Sequence, residues 1–480
     1  MKTKIFSVIS LLLVLCILAA CAPNNLPDAD TSPNDTVTNE ETLPPPESAI
    51  VNGKELSEFT IVYSANDADY SKRAAEYIQK MIKEKANIDL PVITDTSSQT
   101  TKYEIVVGET SRDISKELDA DTTGMQFAML ADDDQIALEG DHFVIAAAAY
   151  YFIETYITAD KFYADVPTTV SICEPIVKEA QNYIFLIGDG MGPYQTKLFD
   201  YMDIPTENNF SDNEDIFYGY MFPYQGFAKT SSLSGVTDSA AGGTALATGY
   251  RTINGYVGIN SAKKEVQSLT ELASSLGMST AVLSTDAATG ATPAAFSTHV
   301  EDRGMTIEIT KQQIFLRRDH GTIVIGGLNN YEPAKVKELQ NTVLSTIDKL
   351  DDNEKGFFMM YEEGYIDKHS HKNEMDNTFL AVLRFNQVIA TVMEYAFYNP
   401  NTFVIMTADH ETGDLRPDST GALKYNSENH SGANVPVFAY GYGAECFNEK
   451  TVVNVQIPKT IAYLWGVESF GDPGLAGALK

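Results

Sequence analysis

Four apolar runs after Val177 each stop abruptly in a loop dense with ionisable or hydroxyl side chains. They are Tyr183–Gly192 (YIFLIGDGMG), Ala281–Ala295 (AVLSTDAATGATPAA), Phe357–His371 (FFMMYEEGYIDKHSH) and Thr402–Gly413 (TFVIMTADHETG). Short, continuously apolar runs of this kind read as strands buried on both faces. Helical periodicity lies between them, at Ser268–Leu276, Pro333–Leu350 and Asn377–Phe397. Strand and helix in alternation restrict the chain to an α/β fold, a central mostly parallel sheet flanked by helices. Ligands of such sheets bind beyond the carboxyl ends of the strands, where all four polar loops fall.

A fifth stretch, Val236–Gly249 (VTDSAAGGTALATG), places Ser239 beside Asp238 and ahead of small residues. Ala240–Thr248 reads as a helix stopped by Gly249. Ser239 then meets the positive end of a helix dipole, which favours an alkoxide or a bound anion. A serine that simply caps the helix is the plainer alternative. The small residues that follow would leave room for a ligand. The polar loops add Asp189, Glu362, Asp367 and Asp409 as carboxylates and His371, His410 and His430 as imidazoles. Asp367 and His371, four apart, share a helix face and can grip one ion. The mixed oxygen and nitrogen set suits zinc, and the all-oxygen subset Asp189, Thr292 and Glu362 suits magnesium.

The N-terminus is organised for export. Lys2 and Lys4 precede an apolar run from Ile5 to Ala20, and Leu18-Ala19-Ala20-Cys21 resembles a bacterial lipobox. Residues 1–20 are read as a signal peptide, with Cys21 carrying lipid; ordinary cleavage at the small residues is the alternative. Residues 21–49, rich in Pro, Asn, Asp and Thr, read as a disordered tether. No later run offers the roughly 18 apolar residues of a membrane span. The bulk is therefore expected outside the cytoplasm, anchored at the cell envelope. Cys173 and Cys446 could pair there, but two distant cysteines do not establish a disulfide.

Residues 50–176 read as a small accessory α/β domain and 177–480 as a larger catalytic one. The smaller has strands at Phe59–Ser64 and Tyr103–Gly108, and helices at Ala75–Lys85 and Phe143–Tyr156. Its element order and the phrase EIVVGET resemble the small α/β domain that precedes the catalytic barrel of some α-glucuronidases. That resemblance implies docking, with glycan as a contact, or spacing, rather than chemistry. A net charge of −32 argues against nucleic acid as a partner and repels anionic substrates unless bound cations reverse the field locally.

From about Gln181 to Lys480 the order of motifs resembles the alkaline phosphatase family. The motifs are GDGMG, VTDSAAGGTALATG, ATPAA followed by HVEDR, E-x-x-x-x-D-K-x-x-H, TADHETG and a late H-S-G. The resemblance implies that Ser239 is the nucleophile that becomes phosphoserine. It implies one zinc held by Asp367, His371 and His430, which activates the hydrolytic water. A second zinc, on Asp409, His410 and Asp189, would hold the serine oxygen. Asp189, Thr292 and Glu362 would hold one magnesium. Arg303 matches the arginine that grips phosphate, Asp238 its orienting partner, and Lys368 a position that reaches phosphate through water. Three divalent ions against four carboxylates leave the site at about +2, attractive to phosphate within an acidic protein. Small phosphate monoesters are the implied substrates, and a homodimer is an assembly many members adopt.

The chain departs from the family's pattern in two places. Glu363 follows Glu362 where a glycine is common, so the carboxylates could exchange roles, although the spacing to Asp367 favours Glu362. Gly290 stands where an Asp or His often tunes the magnesium site. His369 is read as a neighbour of the site, and His142, His299 and His320 as structural. Sulfatases of the superfamily need Cys or Ser followed by x-P-x-R, which Ser239 lacks. Phosphodiesterases typically use threonine and lack the arginine and magnesium ligands. A diesterase, and an inactive lipid-anchored glycan-binding protein, are the competing readings.

Overall fold

The computed structural model describes residues 49–480 apart from 67, 100, 119, 158–162, 205–215 and 330–332. The leader, Cys21 and nearly all of the tether lie outside the described residues. A six-stranded sheet comes first, built from β1 (Phe59–Tyr63), β2 (Val92–Thr94), β3 (Tyr103–Val107), β4 (Phe127–Ala131), β5 (Gln135–Gly140) and β6 (Ser171–Cys173). Its order is β2-β1-β3-β5-β4-β6, with β4 antiparallel to both neighbours. Helices α1 (Ala68–Ala86) and α2 (Ile145–Tyr156) accompany it. Helix α1 starts seven residues before the Ala75 expected from sequence, because its first turns carry charge rather than an apolar stripe.

The second sheet has eight strands: β7 (Asn182–Gly188), β8 (Tyr224–Lys229), β9 (Ser279–Ser284), β10 (Ile323–Ile325), β11 (Phe357–Glu363), β12 (Thr402–Thr407), β13 (Val435–Tyr440) and β14 (Thr451–Val453). The order is β10-β9-β11-β7-β12-β13-β8-β14. Strands β10, β9, β11, β7 and β12 run parallel, while β13 is antiparallel to β12 and β8. The sheet is therefore mixed and mostly parallel, as the alternating pattern required. Strands β7, β11 and β12 are buried at every residue, consistent with cover on both faces.

Around this sheet lie α3 (Ser239–Thr248), α4 (Leu269–Ser275), α5 (Ala291–Ala295), α6 (Thr306–His320), α7 (Pro333–Asp351), α8 (Tyr365–Ser370), α9 (Met375–Tyr398) and α10 (Gln456–Leu464). Ser268 caps α4 in a capping box with Glu271. Helix α9 joins the two sheets. Arg73 of α1 donates from Nε and Nη2 to Glu394 at 2.7 and 2.9 Å, and Tyr77 stacks on Tyr398 at 4.2 Å. One hydrophobic cluster runs from Phe59 and Ile105 through Phe143 and Phe397 to Ile184 and Phe403. Cys173 is half-buried and Cys446 buried, and both are free thiols. Among the described residues no helix is long and apolar enough to cross a membrane.

Candidate active site

The site lies where β7, β9, β11 and β12 end. Asp189 follows β7 directly, Glu362 stands near the end of β11, and Asp409 and His410 follow β12. Asp367 and His371 lie on and just past α8, one turn apart. Two close groups result, Asp367 with His371 and His430, and Asp189 with Asp409 and His410.

Glycines permit this crowding. Gly190 has φ +74°, and a Cβ there would lie 2.8 Å from the Asp367 Cα and 2.9 Å from the Thr412 hydroxyl. Gly242 lets α3 approach Asp409, where a Cβ would stand 3.0 Å from that residue's carbonyl oxygen. The small residues after Ser239 thus make room for a neighbouring loop of the site.

Ser239 is buried at the first position of α3. It does not cap the helix, because Asp238 does, accepting from the Ala241 amide at 3.0 Å. The other Asp238 oxygen accepts from the Gly255 amide at 3.0 Å and from Arg303 Nη1 at 3.3 Å. One carboxylate therefore fixes the helix start, the 255 loop and the guanidinium together. The helix ends at Gly249 in the left-handed conformation, as expected from sequence.

Hydrogen bonds decide the tautomers of the three histidines. His430 Nδ1 faces the Thr237 carbonyl at 2.8 Å, and His371 Nδ1 faces the Glu428 carbonyl. A carbonyl only accepts, so both Nδ1 atoms carry protons, and in the neutral rings both Nε2 atoms expose lone pairs. Those Nε2 atoms lie 3.0 Å apart. Two facing lone pairs at that distance call for a cation or a proton between them. Thr412 donates to Asp367 Oδ1 at 2.5 Å and lies 3.3 Å from His410 Nδ1, which leaves His410 Nε2 facing Ser239 Oγ at 3.2 Å.

The spacings fit metal ions. A tetrahedral ion with bonds of about 2.0–2.1 Å separates its ligand atoms by about 3.3–3.4 Å. His410 Nε2 lies 3.4 Å from Asp189 Oδ1 and 3.2 Å from Asp409 Oδ2. Both of these carboxylate oxygens are buried without a hydrogen-bond partner. In the other group, Asp367 Oδ1 lies 3.4 Å from His371 Nε2 and 3.5 Å from His430 Nε2.

Electrostatics point the same way. Burial, then the neighbouring Asp409, Asp367 and Glu362, pushes Asp189 well above the usual carboxylate range. Burial pushes Glu362 up to about 8, against the opposing pull of its Ser284 hydrogen bond. Burial pulls His410 below the usual histidine value despite Asp409 beside it. For His430 burial acts in the same direction, but the Asp367 hydrogen bond and charge outweigh it and raise the ring. Carboxylates this crowded are stable as anions only with compensating cations.

The two adjacent glutamates face opposite sides of β11, as alternation along a strand demands. Glu363 is fully buried against Arg384 of α9, which donates from Nε at 2.7 Å and also from Nη2. It also accepts from Thr285 at 3.0 Å and from the Tyr365 amide at 3.1 Å. Glu362 instead accepts from Ser284, beside the buried Thr292 hydroxyl.

Lys368 pairs with Asp286 and lies over the Tyr365 ring at 4.6 Å. Asp286 fills the space that Gly290 leaves open, since a Cβ at 290 would stand 2.7 Å from its Oδ2. His369 bonds Glu374 at 2.8 Å, outside both groups.

Sequence reasoning missed Thr412, Glu411, Asp286 and Arg384. Buried Glu411 accepts from the Leu415 amide at 3.1 Å, from Gln195 Nε2 at 3.2 Å and from Ser431, which pins the strand bearing His430. The polar continuation of TADHETG was the available signal for Glu411 and Thr412. The carbonyls of Thr237 and Glu428 offered none, because a backbone group has no side-chain signature.

Comparison with known proteins adds three findings. A family model described as alkaline phosphatase matches residues 180–332 and 324–420. Alkaline phosphatase 4 of Bacillus subtilis is 30% identical over 305 residues, covering 52% of this chain and 65% of the relative. Alkaline phosphatase 3 of the same organism is 24% identical over 337 residues, covering 59% and 71%. The match thus spans just under two thirds of the first relative's length. Among solved structures, alkaline phosphatase from the Antarctic bacterium TAB5 is 26% identical with a TM-score of 0.52. That superposition covers 60% of this chain and 98% of the other.

Proposed function

The chain belongs to the alkaline phosphatase family, and from that premise we propose that it is a metal-dependent phosphomonoesterase working through a phosphoserine intermediate. The observation that carries the reading is the convergence on Ser239. Its oxygen lies 3.2 Å from His410 Nε2, and the preceding residue, Asp238, holds Arg303.

In this reading Asp367, His371 and His430 hold one zinc, Asp189, Asp409 and His410 a second, and Asp189, Thr292 and Glu362 a magnesium. Bound divalent ions supply charge stabilisation for the entering and leaving oxygens of an in-line displacement. Arg303 offers a planar fork to two phosphoryl oxygens, and its Asp238 contact orients it. Ser239 Oγ, at the positive end of α3, gives up its proton and forms the bond to phosphorus as the bond to the ester oxygen breaks, and the departing oxygen takes up a proton to leave as the alcohol. Water then displaces Ser239 from the phosphorus, which restores the hydroxyl and frees inorganic phosphate. Thr412, Thr237 and Glu428 keep the three Nε2 atoms unprotonated and aimed at the site. Glu363 is held by Arg384, which supports Glu362 as the magnesium ligand. The reading places the enzyme outside the cytoplasm, exported through residues 1–20 and anchored by lipid on Cys21.

The test compares p-nitrophenyl phosphate with bis(p-nitrophenyl) phosphate on purified protein lacking residues 1–21, with and without chelator. Chelator-sensitive preference for the monoester is expected. Preference for the diester would remove Arg303 from its assigned place, and hydrolysis of neither with zinc and magnesium present would overturn the enzymatic reading.

A further inference from the structure

His299 lies four residues before Arg303 and far in sequence from every proposed metal ligand of the histidine groups. Its ring is held at both ends by acceptors. Nδ1 faces the Gly258 carbonyl at 2.6 Å, and Nε2 faces Glu271 Oε1 of α4 at 2.8 Å. Neither acceptor can donate, so only the imidazolium, with two N–H groups, satisfies both contacts. Little of the ring is exposed, its side chain showing 13% of its surface.

The backbone around this ring leads to the clamp. Val257 and Val300 exchange hydrogen bonds at 3.1 and 2.9 Å, and the Arg303 amide donates to the Gly255 carbonyl at 2.9 Å. Gly255 in turn donates to the Asp238 oxygen that Arg303 contacts. Gly258 has φ +62°, and its amide donates to Thr244 of α3 at 2.9 Å. A Cβ there would stand 2.0 Å from the Thr298 carbonyl, so the two segments are pressed together at the histidine. The charged groups facing the ring are Glu271 from α4 and Glu265 from the segment before it. Helix α6 holds the His299 backbone through neutral Gln312.

We propose that His299, held as an imidazolium between Gly258 and Glu271, is a positioning residue for the Arg303 clamp, so that loss of its proton weakens capture of phosphate. The proposal rests on the phosphatase reading for what Arg303 binds. Burial alone would lower the ring's pKa, but Glu271 and the Gly258 carbonyl outweigh it and raise the value above that of a free histidine. The anchoring is therefore complete below the ordinary histidine pKa, about 6.5, and is lost as pH rises through the higher folded value.

The experiment measures inhibition of p-nitrophenyl phosphate hydrolysis by inorganic phosphate across pH, on zinc- and magnesium-loaded full chain. Wild type is compared with His299→Gln and Glu271→Gln, with thermal unfolding recorded alongside. At low pH His299→Gln should bind phosphate about tenfold more weakly, the effect of one charge-assisted hydrogen bond, with a smaller change in kcat. The ratio should shrink toward one as the wild-type histidine loses its proton. Glu271→Gln should lose phosphate affinity at a lower pH than wild type does, and that comparison carries the test alone if His299→Gln fails to fold. A ratio that is constant with pH, or a pH of weakening that Glu271→Gln leaves in place, overturns the proposal. If phosphate fails to inhibit loaded wild type at any pH, the phosphatase reading falls too.

Discussion

Replacing Thr412 by valine removes one hydroxyl and keeps the shape, and that hydroxyl touches both candidate metal groups. It donates to Asp367 Oδ1 at 2.5 Å and lies 3.3 Å from His410 Nδ1, and the residue is fully buried. The bond to Asp367 is charge-assisted, worth about 1.5–3 kcal/mol net. Partners that orient metal ligands change affinity by about 10–100-fold, or roughly 1.4–2.7 kcal/mol, so two independent routes give one magnitude. The variant also frees His410 to adopt its other tautomer, which would turn a proton toward Ser239. Zinc affinity should therefore fall by about one to two orders of magnitude at both groups together. The assay is equilibrium competition with a chromophoric chelator on full-length protein, with circular dichroism confirming the fold. Unchanged affinity would refute the orienting role. Loss at one group alone would refute the coupling of the two through a single hydroxyl.

Ser239→Ala should retain its metals and lose nearly all turnover, as metal analysis beside p-nitrophenyl phosphate hydrolysis would show. Arg303→Ala should weaken inhibition by inorganic phosphate more than it changes metal content; unchanged inhibition would count against the clamp. Arg384 and Glu363 are both fully buried, so Arg384→Met alone should cost about 3–5 kcal/mol by leaving a buried carboxylate without its cation. Urea unfolding should show the double variant Arg384→Met/Glu363→Leu to be more stable than Arg384→Met. Metal-stripped protein should lose stability as pH rises from about 5 to 8. With Glu362 pushed up to about 8, the folded state binds more protons than the unfolded one across that window. Restoring zinc and magnesium should flatten the slope in thermal unfolding.

Local signals carried far along this chain. The strands β7, β9, β11 and β12 were legible because a strand buried on both faces has a continuous apolar signature, and their loops announced the site. Helix α3 was legible from its small residues and its Gly249 stop. Helix α6 was not, because Ile307, Ile314 and Phe315 are exposed while Ile309 and Leu316 are buried, leaving no clean apolar stripe. Strands β8, β13 and β14 were also missed, and the reversal of β13 against β12 and β8 depends on neighbours distant in sequence.

Sequence by itself determined the layered architecture, the residues offered to the site and their chemical type, because those follow from side-chain identity and local period. Tertiary structure decided which atom of each residue is available. Asp238 rather than Ser239 caps α3 because its carboxylate also meets Gly255 and Arg303. Glu363 is engaged because Arg384, on a helix packed beneath β11, reaches it, while Glu362 on the opposite face lies beside Thr292. The histidines expose Nε2 because two backbone carbonyls and Thr412 occupy the other nitrogen. Such assignments come from groups many residues apart meeting within hydrogen-bond range, and no local pattern encodes that meeting.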